Sequence, residues 1–409
     1  MTLHVVGAGL AGLAAALEAV ALGLRVVVHE AAALAGGRCR SWHDPTLDAT
    51  IDNGAHVIVG ANTHVERHLA AIGSAGSLAW LDDGIALLDL DTGLFHRHAG
   101  PRDLLAAHLT ADGARGLLAL LRLLAARDDA TIGARLDAAS TLTRTLWVPL
   151  ATAVMNLDPQ AASAGPFART LRRTLLRGAR AMRIGVARTS LAASFVDPAV
   201  TRLREAGTEL RFGARLRAIE VSGDAPAALH FADARIALDA EDAVILALPP
   251  WELAHLLPEL APPHDTAAIV NLHARLGAGG DVASPALLGL LGGEVEWIMR
   301  RGDQVCATVS AADRLIGEDP DVLARRLWRD VARALGTAAA PVPPLRLVKE
   351  RRATPAQTPD FERLRPGVAT PLRRVLLAGD WVVPGLPCTI DSALSAGADA
   401  ARRAAARAA

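Results

Sequence analysis

The pattern of apolar residues at the start of the chain predicts a strand, a turn, a helix and a second strand. Residues 3–6 are apolar and partly β-branched, which favours a strand. Residues 13–22 are rich in alanine and leucine and end at Gly23, as a short helix does. Residues 25–28 form a second apolar run, and Glu30 follows it closely. This order within about 30 residues is that of a βαβ nucleotide-binding unit.

Beyond this unit, some segments have the spacing of apolar residues that is typical of strands, and others have the spacing that is typical of helices. Residues 51–59 predict a strand with Gly54 at its centre, a place where a ligand can approach the backbone. Residues 61–190 space leucine and arginine as amphipathic helices do. Further strands are predicted at residues 209–212, 216–221, 243–248, 269–274, 296–300, 305–310 and 375–377, with a hairpin around 228–238. Residues 202–206 are predicted to end another helix, which Gly207 breaks. Further helices are predicted at residues 314–335 and 389–406, and a polar loop at 354–366.

The chain has 409 residues, more than one hydrophobic core usually serves, so we expect two domains. The predicted fold class is α/β, with a Rossmann-like nucleotide-binding domain interleaved with an α+β substrate-binding domain. The first domain is expected to comprise residues 1–60, 190–250 and 366–409. The second is expected to comprise residues 61–189 and 251–365. Such interleaving accounts for the lack of a recognisable linker.

Each glycine of the first turn has its own expected role. Gly7 makes the tight turn, Gly9 lets the backbone approach a pyrophosphate, and Gly12 allows close packing of helix on strand. Leu10 and Ala11 lie within this turn, directly before the helix, whose free N–H groups and positive dipole end favour phosphates. The turn is therefore predicted to hold a dinucleotide.

Glu30 ends the second strand, where its carboxylate can accept hydrogen bonds from ribose hydroxyls. A carboxylate there repels a 2′-phosphate, which argues against NADP. The sequence Gly36-Gly37-Arg38 follows within a few residues, offering flexible backbone and a guanidinium for a phosphate. In this position it points to FAD rather than NAD.

Composition excludes several other classes. The formal net charge is zero, whereas a nucleic-acid binder carries a basic excess. The three cysteines, Cys39, Cys306 and Cys388, are widely separated, so neither a zinc site nor a dithiol pair is expected. Reduced thiols and the absence of a signal-like segment after Met1 predict a cytoplasmic protein.

Two leucine-rich stretches, residues 104–109 and 117–124, predict amphipathic helical faces. Such faces pack on a protein core in most cases. The alternatives are that they line an apolar tunnel or touch a membrane. We therefore keep a peripheral contact with the inner face of the membrane as an expectation.

The chain resembles the flavin amine oxidase and phytoene desaturase superfamily in its glycine turn, Glu30, Gly36-Gly37-Arg38 and the ending Gly379-Asp380-Trp381. Within that superfamily it is most similar to the hydroxysqualene dehydroxylases. The stretches that carry this second resemblance are residues 38–41, 51–56, 146–150, 269–273, 297–302, 352–354 and 385–390. One departure is Asp391-Ser392, where the superfamily commonly has Glu-Gly.

The resemblance implies FAD as the cofactor and assigns roles residue by residue. The pyrophosphate is expected at the first glycine turn and Arg38, the adenosine ribose at Glu30, and the adenine at the backbone of Leu216. Asp380 is expected at the ribityl chain or phosphate, and the amide of Ile390 at the pyrimidine edge of the flavin. The full set of expected cofactor-binding residues is Gly7, Gly9, Leu10, Ala11, Gly12, Glu30, Gly37, Arg38, Gly54, Ala55, Leu216, Gly379, Asp380, Thr389 and Ile390.

The activity that the resemblance implies is reductive removal of an allylic hydroxyl from hydroxysqualene, giving squalene in hopanoid and isoprenoid biosynthesis. This reaction needs a proton donor beside a hydride donor in a dry apolar site. We expect His56 and Asp52, near the flavin ring, to carry it. An equally good interpretation is that His56 bonds only to backbone and that Asp52 only shapes a turn.

Two other functions fit the same fold. One is a carotenoid-type desaturase that oxidises a polyprenoid, and the other is a non-catalytic isoprenoid-binding protein. An amine oxidase is disfavoured because the chain has no tyrosine with which to build an aromatic cage for amines. No second glycine turn of this type follows, so the flavin is expected to need an external electron donor.

Overall fold

The structure is a computed structural model that describes residues 1–81, 84–98, 100–260, 262–277, 286–338 and 340–406. Within them the strands are β1 (Thr2–Val6), β2 (Arg25–His29), β3 (Ser41–Asp44), β4 (Ala49–Asp52), β5 (Ile58–Val59), β6 (Leu78–Leu81), β7 (Ile85–Asp89), β8 (Phe95–His98), β9 (Ile184–Ala187), β10 (Glu209–Arg211), β11 (Leu216–Ser222), β12 (Ala225–Phe231), β13 (Arg235–Ala237), β14 (Ala243–Leu246), β15 (Thr266–Arg275), β16 (Ala286–Leu291), β17 (Trp297–Arg301), β18 (Gln304–Val309), β19 (Leu345–Pro355) and β20 (Val375–Leu377).

The α-helices of the same residues are α1 (Leu10–Ala21), α2 (Thr63–Ala71), α3 (Pro101–Leu124), α4 (Val148–Met155), α5 (Ala164–Leu175), α6 (Ala179–Met182), α7 (Asp197–Glu205), α8 (Pro250–Leu256), α9 (Pro320–Ala334), α10 (Pro359–Leu364) and α11 (Ile390–Ala406).

A parallel sheet with the strand order β10-β2-β1-β14-β20 carries the glycine turn, which follows β1. Strands β1, β14 and β20 are almost entirely buried, as expected for parallel strands covered on both faces. Helices α1 and α11 cross in backbone contact: a Cβ at Gly397 would lie 2.0 Å from the carbonyl oxygen of Ala11. Distant parts of the chain therefore meet in one sheet and one helix pair.

A second sheet has the order β19-β15-β18-β17-β16-β7-β8 and is antiparallel except between β16 and β7. Helix α9 packs on it, with Leu327, Trp328 and Val331 in one core with strand residues. A separate apolar core joins α3, α4 and α5. The cores of this sheet and of these helices are separate from the core of the parallel sheet.

Much of the predicted order is confirmed. The α/β fold class is confirmed, and β1, β2, β14 and β20 lie where the apolar runs placed strands. The hairpin expected around residues 228–238 is the β12–β13 pair. The first and last helices also lie where they were predicted.

Other predictions were wrong. The strand expected over residues 51–59 is two strands: β4 ends at Asp52 and pairs with β3, whereas β5 begins at Ile58 and pairs with β9. Between them the backbone of Asn53 accepts a hydrogen bond from the side chain of Asn271 instead of continuing a strand. Residues 61–190 contain β6–β9 as well as helices. The helix expected to start at residue 314 begins at Pro320, since the Asp319 carboxylate caps it there.

Candidate flavin site

The glycine turn after β1 is shaped by two close contacts and one open side. A Cβ at Gly7 would lie 2.4 Å from Ala247 O, and Gly7 has a positive φ of 102°. A Cβ at Gly12 would lie 1.8 Å from Gly7 O. A Cβ at Gly9 would meet no described atom within 4 Å. Packing therefore requires the first and third glycines, whereas the second borders free space.

Helix α1 begins at this open side. Leu10 and Ala11 are buried and form its first turn, directly after Gly9. No side chain among the described residues caps the helix at Gly9. The amide groups of the first turn and the positive end of the helix dipole are thus available to an anion.

Glu30 lies against the same turn. Its carboxylate accepts hydrogen bonds from Ala8 N at 2.7 Å and from Ala32 N at 2.8 Å. Its carbonyl oxygen accepts a hydrogen bond from Ala214 N at 2.8 Å, two residues before Leu216 opens β11. The structure therefore brings the predicted ribose ligand and the predicted adenine contact to one edge of the sheet.

The second glycine pair closes over the first turn. A Cβ at Gly37 would lie 3.3 Å from Gly9 Cα. Arg38 Nη2 donates to Asp380 Oδ1 at 2.6 Å, and Nη1 donates to Ala353 O at 2.9 Å. Burial by itself would lower the pKa of the Arg38 guanidinium, but the adjacent Asp380 carboxylate outweighs it and raises that pKa. A permanent positive charge therefore lies beside the turn.

The Asp380 segment follows β20 and is held by a buried arginine that sequence reasoning missed. Arg365 donates from Nη2 to Asp380 O at 2.5 Å, from Nε to Trp381 O at 2.7 Å and from Nη1 to Leu386 O at 2.7 Å. It also pairs with Glu362 at 2.8 Å, and both side chains are buried. The only signal in the sequence was an arginine inside a predicted polar loop.

Gly379 precedes this segment and has no room for a side chain. A Cβ at that position would lie 2.6 Å from the indole nitrogen of Trp381. That nitrogen donates to Leu248 O at 2.9 Å, which ties the segment to the end of β14. The packing of the Trp381 indole therefore requires glycine at position 379.

Helix α11 starts at Ile390, and Thr389 accepts its first backbone hydrogen bond. The departure noted at positions 391 and 392 has a structural reason. The Asp391 carboxylate accepts hydrogen bonds from the amides of His64 and Val65 in the first turn of α2, at 2.9 and 3.2 Å. Ser392 Oγ donates to Pro387 O at 2.8 Å. Asp391, which is shorter than glutamate, therefore caps the neighbouring helix α2. Ser392 stabilises the turn that precedes α11.

Asp52 is almost fully buried and acts as an acceptor in three hydrogen bonds. Its partners are Ser41 Oγ at 2.6 Å, Leu191 N at 2.9 Å and Arg301 Nη2 at 2.7 Å. Arg301 is also buried, so the two charges neutralise each other away from water. The carboxylate thereby links four separate parts of the chain.

Asn271 lies next to this pair and joins β15 to the segment after β4. Its Nδ2 donates to Asn53 O at 3.2 Å, and its Oδ1 accepts from Thr308 Oγ1 at 2.8 Å. A Cβ at Gly54 would lie 3.0 Å from that Nδ2. Gly54 therefore makes room for Asn271, and the stretches 51–56, 269–273 and 297–302 meet in one place.

His56 follows Ala55 on the irregular segment and is partly buried. It makes no hydrogen bond within the described part of the chain, so its ring nitrogens are available to a ligand. Burial lowers the pKa of His56; the Asp52 carboxylate acts to raise it and the Arg38 guanidinium to lower it. His56 is thus within electrostatic reach of both the Asp52 network and the Arg38–Asp380 pair.

The three cysteines are free and buried. Burial raises the pKa of Cys39 and of Cys306 to about 12, and it raises the pKa of Cys388 as well. All three are therefore neutral thiols near pH 7, poorly suited to nucleophilic or redox chemistry.

These residues fit a flavin dinucleotide. The open side at Gly9, the uncapped start of α1 and the Arg38 guanidinium suit a pyrophosphate, and Glu30 suits a ribose. Asp380 lies beside this group because its carboxylate pairs with Arg38. The fold and this site define a flavin-dependent oxidoreductase.

Comparison with known proteins agrees with that class. The family model of the flavin containing amine oxidoreductases matches residues 10–405. Hydroxysqualene dehydroxylase of Sinorhizobium fredii is 37% identical, with 97% of each chain covered. Hydroxysqualene dehydroxylase of Rhodopseudomonas palustris is 38% identical, with 98% of this chain and 97% of the relative covered. The chain belongs to the flavin containing amine oxidoreductase family, in the branch of the hydroxysqualene dehydroxylases.

Solved structures show the same fold at low sequence identity. Putrescine oxidase superposes with a TM-score of 0.71 at 16% identity, covering 98% of this chain and 99% of that one. Cyclohexylamine oxidase from Brevibacterium oxydans superposes with a TM-score of 0.70 at 15% identity, covering 99% and 98%. These likenesses support the architecture.

Proposed function

We propose that this protein catalyses the reductive dehydroxylation of hydroxysqualene to squalene with FAD as cofactor. The observation that carries the proposal is its similarity, over nearly the whole of both chains, to relatives that bear the name hydroxysqualene dehydroxylase. The cradle of Gly7, Gly9 and Gly12 is intact, which speaks for a cofactor-dependent enzyme rather than a binding protein that has lost its flavin.

The reaction replaces a hydroxyl group by hydrogen. A proton is added to the hydroxyl oxygen, the C–O bond breaks with loss of water, and the resulting allylic cation accepts a hydride. Reduced FAD, when bound, supplies that hydride. The sum is substrate, one proton and one hydride on one side and squalene and water on the other, so atoms and electrons balance.

His56 is the proposed proton donor. Its ring has no partner among the described residues, and it lies on the segment that Gly54 and Asn271 hold in place. Asp52 supports it at a distance: its negative charge favours the protonated imidazole. Because Asp52 already accepts three hydrogen bonds, we assign it a positioning role in this step.

Water must be kept away from an allylic cation, and the residues around Ala55 suit that task. Ala55 packs beside a buried apolar cluster that contains Ala79, Val186 and Met299. Apolar side chains next to the proton donor also suit the lining of a site for a long isoprenoid chain. The substrate is therefore proposed to lie between the flavin cradle and the second sheet.

Two further features belong to this proposal. The flavin is reduced by an external donor, since one dinucleotide turn serves one cofactor. The protein acts in the cytoplasm at the inner face of the membrane, where an isoprenoid substrate is dissolved.

An anaerobic single-turnover experiment tests the proposal. The holoenzyme is reduced chemically and mixed with hydroxysqualene, while flavin absorbance and products are followed. Reoxidation of the flavin together with squalene formation is the expected result. If reduced enzyme is inert but oxidised enzyme bleaches with a more saturated polyprenoid, the protein is a desaturase. If neither occurs in flavin-loaded protein, the catalytic proposal fails.

A further inference from the structure

Helix α3 presents apolar side chains to solvent along both of its halves. Leu105 is 43% exposed, Leu109 51%, Leu118 48% and Leu121 54%. Leucines at such positions normally pack on a neighbouring element, and monomeric proteins rarely leave an apolar strip of this kind uncovered. The strip is therefore a candidate contact surface.

The same helix is firmly attached to the protein on its other side. Leu104, His108, Leu120 and Leu123 are buried, and three of them belong to the core shared with α4 and α5. Among the described residues α3 is the one helix with the length and apolar composition to cross a membrane. Gly113, with φ 58° and ψ −141°, breaks it into two segments. A broken helix with one face in a protein core suits the plane of a membrane surface rather than a span.

A basic stretch of the chain contacts α3. Between Asp158 and Asp197 the chain has seven arginines and no acidic residue. Much of this basic stretch forms α5 and α6, and α5 packs against α3, where Arg172 donates a hydrogen bond to Leu124 O. The basic stretch thus contacts α3 at its C-terminal end, three residues after Leu121.

At the end of α5 an exposed apolar residue again lies next to positive charge. Leu176 is 70% exposed, and the exposed arginines Arg177 and Arg180 follow it. Neither arginine pairs with an acidic side chain in the part of the chain that the structure describes. An exposed leucine flanked by unpaired arginines matches a surface with anionic head groups over an apolar layer.

We infer that the exposed face of α3, together with the Leu176–Arg180 turn, docks on an anionic phospholipid bilayer. The leucines enter the boundary between head groups and acyl chains, and the arginines contact the head groups. This contact requires neither substrate nor catalysis, so it stands or falls independently of the proposed reaction.

Vesicle flotation of the holoprotein tests the inference. The probes are vesicles of phosphatidylcholine alone and vesicles of phosphatidylcholine with phosphatidylglycerol, without substrate. Wild type is expected to float with the anionic vesicles, and to do so less in high salt. The variant L105S/L109S/L118S/L121S and the variant R177E/R180E are each expected to lower the vesicle partition coefficient about tenfold or more.

The matched control is V322S/L364S, which changes exposed apolar residues elsewhere, 62% and 50% exposed. It is expected to float as wild type does. Flavin content and circular dichroism of every variant verify folding. Wild type that stays unbound, or a folded leucine variant that floats equally well, overturns the inference. A concentration-dependent dimer that the leucine changes abolish, without vesicle binding, also overturns it and identifies a second copy as the occupant.

Discussion

Arg301 donates a hydrogen bond from Nη2 to Asp52 Oδ2 over 2.7 Å, although 249 positions separate the two residues in the chain. Both side chains are buried. The pair joins the end of β17 in the second sheet to the end of β4, directly before the segment that carries His56. Its geometry therefore determines how the proposed proton donor is placed relative to the second sheet.

Breaking this pair should be costly, because it leaves a buried carboxylate without its counter-charge. Arg301→Met is expected to lower the free energy of unfolding by about 3–5 kcal/mol, measured by urea denaturation. Adding Asp52→Asn to that variant should cost less than the two single changes summed. The exposed pair of Arg373 with Asp224 is the control: Arg373→Met should cost at most about 1 kcal/mol. Equal effects of both arginine changes would contradict the buried-pair interpretation.

The glycine turn offers a paired test of cofactor binding. Gly9 has φ −69° and faces open space, so Gly9→Ala should leave the stability of the apoprotein within about 0.5 kcal/mol of wild type. Its added methyl group occupies the proposed pyrophosphate position, so FAD affinity should fall about tenfold to a hundredfold. Fluorescence titration of apoprotein with FAD measures this.

Gly12→Ala is the contrasting variant. Its Cβ would lie 1.8 Å from Gly7 O, so the helix must shift and the apoprotein itself should lose stability. If Gly9→Ala binds FAD as tightly as wild type, the pyrophosphate does not lie at this turn.

The proton-donor role of His56 predicts a loss of rate with intact cofactor binding. His56→Gln should slow flavin reoxidation by hydroxysqualene about 10²–10⁴-fold while leaving flavin content unchanged. His43→Gln, at a histidine whose side chain is 61% exposed, is the control and should keep the wild-type rate. Unchanged reoxidation in His56→Gln would remove His56 from the mechanism.

The pH dependence of the same reaction follows from the direction of the shift. Burial lowers the pKa of His56, so its acid form gains population as the pH falls below 6.5. The single-turnover rate should therefore rise between pH 7.5 and pH 5.5, and His56→Gln should lack that rise. A wild-type rate that falls over this interval would point to a different acid.

A buried histidine pair in the nucleotide-binding sheet predicts acid sensitivity of the fold. His4 and His29 lie on neighbouring strands with ring nitrogens 3.1 Å apart, and His29 stacks on Phe231. Burial lowers the pKa of His29 to about 3, so the folded form keeps it neutral while the unfolded chain takes up a proton below 6.5. Stability is therefore present above pH 6.5 and is lost as the pH falls, by about 2 kcal/mol between pH 7 and pH 5.

Urea denaturation at those two pH values checks this prediction. His29→Phe retains an aromatic ring without a titrating group, so its stability should change less over the interval. His255→Gln, at an exposed position, should follow the wild-type dependence. An unchanged dependence in His29→Phe would assign the acid sensitivity to other groups.

Local patterns foretold the nucleotide-binding elements well, because each depends on residues close in sequence. The strand–turn–helix start and the run Val375–Leu377 were found from apolar runs and glycines alone. Strand β19 was missed because its edge position leaves it rich in exposed charge, including Arg346, Arg351 and Arg352. A search for runs of apolar residues does not find a strand of this kind.

The contacts that complete the candidate site depend on the tertiary fold. Asp52 pairs with Arg301, and Arg365 donates a hydrogen bond to the backbone of the Asp380 segment. Neither contact can be recognised from residues close in sequence. Resemblance indicated that residues 51–56 and 297–302 matter, and the structure supplies the physical link between them. The spacing of residues in the sequence does not reveal which charged side chains become buried and paired between the two sheets.

The interleaving of the parallel sheet has a consequence for biosynthesis. Strand β14 pairs with β1 on one side and with β20 on the other, and α1 cannot take its final packing before α11 exists. A nascent chain on the ribosome holds Gly9 and Glu30 long before it holds Asp380 and Ile390. Cofactor capture must therefore wait until translation has passed the last of these positions, so an early-arrested chain would be left with apolar surface for chaperones to cover.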